Sequence, residues 1–108
     1  MGNIRLTHVT NASNIPSILK EGLDPKYATM RRAAVWTVLA SQTQWSLFHC
    51  LSKKRNKGLS SADMVEIIIS VPRSWVKKHG SQTAARGIKQ FWIDRVVPAN
   101  RIKSITPL

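Results

Sequence analysis

The sequence predicts an α+β domain, and three observations carry that prediction. A run with period two, Asn3 to Val9, leads into a capped helical segment that a glycine closes. A run of isoleucines flanked by valines, Met64 to Val71 (MVEIIISV), is the strongest strand signal in the chain. The second half then holds strand-like segments with little helical spacing, so the two main helices fall in the first half. At 108 residues the chain is long enough for one domain with a real core, spanning 1–108, and leaves little room for a second.

The elements follow in order. In Asn3 to Val9, Ile4, Leu6 and His8 share one face and Arg5, Thr7 and Val9 the other, as a strand requires. Asn11, Ser13 and Asn14 are each competent helix N-caps, and Pro16 is tolerated in a first helical turn. Ile15, Ile18 and Leu19 recur at helical spacing, and Gly22 is placed to end the helix in the left-handed conformation. Asp24 to Arg32 is a polar, basic loop. Ala33 to Ala40 reads as a buried strand, and Ser41 caps a helix to about Ser52 with Trp45, Phe48 and Leu51 as its apolar stripe. Lys53, Lys54 and Arg55 suit the negative pole of that helix, and Lys53 to Asp63 has the composition of an exposed loop. Met64 to Val71 should be a central strand, ended by Pro72, and Arg73 to Lys78 suits one helical turn. His79 to Lys89 is a second basic stretch. Gln90 to Val97 reads as a strand, Pro98 to Asn100 as a turn, and Arg101 to Ile105 as a last short strand.

Charge narrows the partners. Seventeen Lys and Arg against five Asp and Glu leave a net charge of +12, a positive field that favours polyanions, nucleic acid foremost. Cys50 stands alone, which excludes an internal disulfide and a cysteine metal cluster. His8, His49 and His79 lack a paired ligand spacing, so no metal is expected. The first residues hold no apolar signal core, and no run approaches the ~18–20 apolar residues of a membrane span. The expected setting is cytoplasmic, with no membrane partner.

No glycine-rich phosphate loop and no Ser-His-Asp set is in evidence. His49 and Cys50 are neighbours, but adjacent residues on a helix point about 100° apart, which favours Cys50 as a small core residue. His8 and Thr10 differ. At a strand end, residues two apart share a face, so an imidazole and a hydroxyl can bond one ligand; alternatively His8 caps the next helix or bonds a neighbouring carbonyl.

The segment His8-Val9-Thr10, followed by Asn14-Ile15-Pro16-Ser17-Ile18-Leu19-Lys20-Glu21-Gly22-Leu23, resembles the first motif of the ADP-ribosyltransferase superfamily. It looks most like the DNA-targeting toxins of the DarT type and is similar in outline to RNA 2'-phosphotransferases. The resemblance implies a compact mixed β-sheet with two main helices and NAD as the substrate. It gives His8 the nicotinamide-side ribose and Thr10 a part in holding the dinucleotide. Val35-Trp36-Thr37 matches the second family motif more loosely. There Trp36 takes the place of the tyrosine that stacks on nicotinamide, with Thr37 beside it, although Trp36 also suits a plain core position. Arg31 and Arg32, just before this strand, either meet the pyrophosphate or belong to a solvated basic loop.

Gln90 to Ile102 has the shape of the third motif and puts Gln90 where the family carries a glutamate. This is a departure, because an amide can hold a hydroxyl but cannot carry charge or act as a base. Asp94 would lie on the same strand face but about 13 Å further along, at ~3.3 Å per residue. Glu66 is the other carboxylate that could reach a sheet-face site, without motif support. Two main readings stand at this point: an NAD-dependent ADP-ribosyltransferase with Gln90 and His8 as its catalytic residues, acting on a nucleic acid or nucleotide-linked target, and a catalytically silent module of the same fold that binds nucleic acid or a partner protein. Transfer of a 2'-phosphate from RNA to NAD is a third. A toxic enzyme would also imply an antitoxin or other regulatory partner.

Overall fold

The computed structural model describes residues 2–27, 34–39, 42–52, 56–78 and 90–108. Eight regular elements order as β1 (Asn3–Asn11), α1 (Ile15–Glu21), β2 (Val35–Leu39), α2 (Thr43–Leu51), β3 (Met64–Pro72), β4 (Lys77–Lys78), β5 (Gln90–Ile93) and β6 (Ile102–Pro107). Among the described residues one six-stranded sheet carries the strands in the order β4-β5-β2-β1-β3-β6. The class is α+β, as expected, but the sheet is not mixed: every registered strand pair is antiparallel. The reason is topological. β2 and β3 run in the same direction, yet β1 lies between them and against both, so they never form a parallel pair.

β1 and β3 pair along nine residues each, from Asn3 opposite Pro72 to Asn11 opposite Met64, and form the backbone of the sheet. Alternation then sorts the side chains. Leu6 on β1 faces with Ile67 and Ile69 on β3, all fully buried, and these join Ile18, Leu23, Ile93 and Val97 in the main core on the α1 side. Val9 and Met64 point the other way and form a smaller cluster with Leu47 and Cys50 of α2. The isoleucine-rich β3 has neighbours on both sides, as its composition requires, although it is second from one edge rather than in the middle.

Both helices turn differently from their apolar pattern. On α1, Ile18 is buried while Leu19 is 56% exposed. Of the three candidate caps, Asn11 accepts from the Ser13 amide and opens a single tight turn, Ala12–Asn14, whereas Asn14 makes no side-chain cap to α1. On α2 the buried residues are Thr43, Leu47 and Cys50, spaced i, i+4, i+7, and Phe48 is 69% exposed. A polar anchor sets this rotation: the Thr43 hydroxyl donates to Glu66 Oε2 of β3 at 2.6 Å. Seating Thr43 on the sheet turns Leu47 inward and Phe48 out. Leu47→Ala is therefore expected to cost about 2–4 kcal/mol of unfolding free energy. Phe48→Ala should stay within about 0.5 kcal/mol, and urea titration of the two variants checks the pair.

Strand ends also shift. β1 runs two residues past Val9 to Asn11, and β5 stops at Ile93, four residues before Val97. Val97 instead bridges Leu23 through two hydrogen bonds of 2.8 and 2.9 Å. Gly22 makes that approach possible. Its φ of 80° is positive as expected, but its ψ of −170° places it in an extended, glycine-only region rather than the left-handed helix.

Candidate functional site

The sheet has a built-in split. β1 and β2 pair at only two positions, Leu6 with Leu39 and Thr7 with Val38. Beyond them the strands part, and His8 Nδ1 spans the divergence by donating to the Trp36 carbonyl at 2.8 Å. A carbonyl only accepts, so Nδ1 carries a proton in this contact.

A cavity of about 340 Å³ occupies the split. Alternation puts His8 and Thr10 on the α1 side of the sheet and Trp36 and Gln90 on the α2 side. In an intact sheet those two pairs would be separated by the backbone. Because the strands part, all four line one space, together with Thr37. Arg31 and Arg32 lie outside the described residues, as do the basic stretches 53–55 and 79–89.

Each lining residue is fixed by its local structure. Thr10, buried, accepts from Asn14 Nδ2 at 2.9 Å, which leaves its own hydroxyl proton to donate. Thr37 donates to the Phe91 carbonyl at 3.3 Å, so its hydroxyl ties β2 to β5. Gln90 opens β5 opposite Val38, half-buried, and its side-chain amide makes no hydrogen bond among the described residues. Cys50 is buried beside Met64, its carbonyl and thiol each accepting from Asn56 Nδ2. It reaches the cavity wall only from within the core.

The other two candidate carboxylates take different roles. Asp94 falls beyond the end of β5 and pairs with Lys77 at 3.9 Å. Glu66 is occupied by Thr43 beneath α2 and does not line the cavity. Among the described residues no group of histidine, cysteine and carboxylate side chains is arranged to hold a metal ion.

Sequence reasoning missed the wall supplied by α2 and the rim after α1. Trp45 and His49 line the cavity with their rings stacked, centroids 4.9 Å apart and planes within 8°. Their i, i+4 spacing was the available signal, obscured because Trp45 also fitted an apolar stripe. At the rim, Asp24 and Tyr27 face the cavity while Lys26 sits 3.7 Å from the Asp24 carboxylate and 5.0 Å over the Tyr27 ring. Tyr27 first, then Asp24, hold the Lys26 amine above its ordinary pKa.

No family model and no curated protein matches the chain.

The lining alone defines what the cavity can bind. Two indole rings offer flat apolar faces, and an imidazole, a hydroxyl and an amide converge on the same space. The volume lies in the ~300–1,000 Å³ range of small-molecule sites. That combination suits a ligand with a flat ring joined to a polyhydroxylated sugar. Among the described residues no helix is long and apolar enough to cross a membrane.

Proposed function

We propose that the chain is an NAD-dependent ADP-ribosyltransferase acting on a nucleic acid or a nucleotide-linked target. One observation supports this most: His8, Thr10, Trp36, Thr37 and Gln90, drawn from three separate stretches of sequence, line a single cavity where β1 and β2 part.

The roles follow from the hydrogen bonding. With Nδ1 committed to the Trp36 carbonyl, the His8 ring is held on the cavity wall, where the proposal places the ribose. Thr10 donates its hydroxyl proton to the same substrate, since Asn14 already donates to its oxygen. Trp36 gives an aromatic face for the nicotinamide ring. In the reaction the bond from the anomeric carbon to nicotinamide breaks, and nicotinamide leaves. The acceptor's nucleophilic atom bonds that carbon and releases its proton. Gln90 can hold a ribose hydroxyl but leaves the developing positive charge without a carboxylate. The net charge of +12 accounts for a polyanionic acceptor.

The Gln90 amide also favours a second reading, in which the cavity binds without chemistry and the chain serves as a nucleic-acid-binding module. Calorimetric titration with NAD addresses the shared step. Saturable binding is expected, weakened at least about tenfold, or about 1.4 kcal/mol, by His8→Ala. Nucleic-acid binding that falls steeply with salt while NAD produces no heat would favour the second reading.

A further inference from the structure

Away from the cavity, three residues distant in sequence meet. Trp75 closes the single tight turn Arg73–Trp75 after β3, Arg95 follows β5, and Arg101 ends the turn Ala99–Arg101 before β6. The guanidinium carbon of Arg95 lies 3.9 Å from the Trp75 ring centroid, and that of Arg101 lies 5.2 Å from it. The ring is half-buried and packs against the main core, so it is a fixed platform for both side chains.

An indole ring attracts a guanidinium, and bringing two to one ring concentrates positive charge there. A carboxylate would be the simplest neutraliser, and among the described residues neither arginine has one within ion-pair distance. The ion pairs formed among the described residues, Lys26–Asp24 and Lys77–Asp94, involve neither arginine. The rest of the chain, at net +12, adds to the imbalance. Each guanidinium presents a planar fork of donors matched to the oxygens of a phosphate. Arg95 is exposed and Arg101 half-buried, so a ligand can reach both.

We propose that Arg95 and Arg101, held on Trp75, clamp a backbone phosphodiester of a nucleic-acid strand. The clamp is separate from the NAD cavity but mechanically joined to it. Val97, between the two arginines in sequence, is bridged to Leu23 of the cavity wall by hydrogen bonds of 2.8 and 2.9 Å. A strand held there is fixed relative to the site where chemistry is proposed, and the clamp itself does not depend on NAD.

The test is fluorescence anisotropy of a labelled single-stranded DNA oligonucleotide, measured across a salt series with the full chain. The double variant Arg95→Gln/Arg101→Gln is expected to bind at least about tenfold more weakly, with its salt slope shallower by about 0.7 for each phosphate that is no longer neutralised. Its thermal midpoint should stay near wild type, because the two lost ring contacts are offset by the removal of two like charges. Arg95→Gln alone, at an exposed side chain, carries the same test if the double variant melts early. Arg95→Lys/Arg101→Lys should restore the salt slope but only part of the affinity, since the charge returns without the fork. NAD titration of the double glutamine variant should match wild type, so a chain that never binds NAD still tests the clamp. Wild-type affinity and slope in the glutamine variants would overturn the proposal, as would a wild-type chain that does not bind the strand. Displacement of the strand by inorganic phosphate at equal phosphate concentration would overturn it too, by reassigning the arginines to a free anion.

Discussion

Gly22→Ala is expected to lower the unfolding free energy by about 3 kcal/mol or more. Two costs combine. At φ 80° and ψ −170° a residue with a Cβ pays about 1–3 kcal/mol in backbone strain. The Cβ would also press into the Val97 carbonyl, against its oxygen, carbon and the next Cα. That carbonyl accepts from the Leu23 amide at 2.9 Å, so the bridge must open to relieve the clash. Opening it breaks two hydrogen bonds at about 1 kcal/mol each and loosens Leu23 and Val97, both in the main core. At roughly 4 °C per kcal/mol for a chain of this size, the thermal midpoint should drop by about 12 °C. Gly22 and Leu23 also line the cavity, so ligand binding should weaken together with stability. A variant that melts within about 2 °C of wild type would show that the tight approach of Gly22 to Val97 does not exist in solution.

Gln90→Glu is expected to raise the rate of nicotinamide release from NAD by about a hundredfold or more. The two side chains have the same shape, and the amide makes no hydrogen bond among the described residues that the substitution would break. What changes is charge. A carboxylate at the head of β5, in a half-buried position on the cavity wall, stabilises the positive charge that develops as nicotinamide leaves. Asp24 sits at the rim and is paired with Lys26, and Asp94 and Glu66 are engaged elsewhere. Release can be followed by chromatography at fixed pH. Equal rates in the two chains would mean that position 90 does not face the reacting carbon.

Much of the fold was legible because local chemistry and global packing agree. The alternation of Ile4, Leu6 and His8, the stop at Gly22 and the isoleucines of β3 each specify one structure. The misread parts share a cause: long-range polar contacts outvoted local pattern. Thr43 reaching Glu66 rotates α2 so that Phe48 faces solvent, although Trp45, Phe48 and Leu51 look like an apolar stripe. β5 gives way to a bend at Asp94 and Arg95, and Val97 pairs with Leu23 instead, although the sequence to Val97 could continue the strand. The site was legible in its members and not in its form. His8 and Thr10, singled out by type and place, and Trp36 and Gln90, singled out through the family resemblance, line one cavity. That β1 and β2 pair at two positions and then part is a property of pairing, which side-chain periodicity does not record.

The central claim is that this split holds NAD for glycosyl transfer, and nicotinamide release measures it most directly. Wild type, Gln90→Glu and His8→Ala should be assayed side by side with a single-stranded oligonucleotide present. The account predicts slow release by wild type, faster release by Gln90→Glu, and loss of release in His8→Ala while all three remain folded. Folded chains that leave NAD intact in all three cases, or that release nicotinamide equally with and without His8, would contradict it.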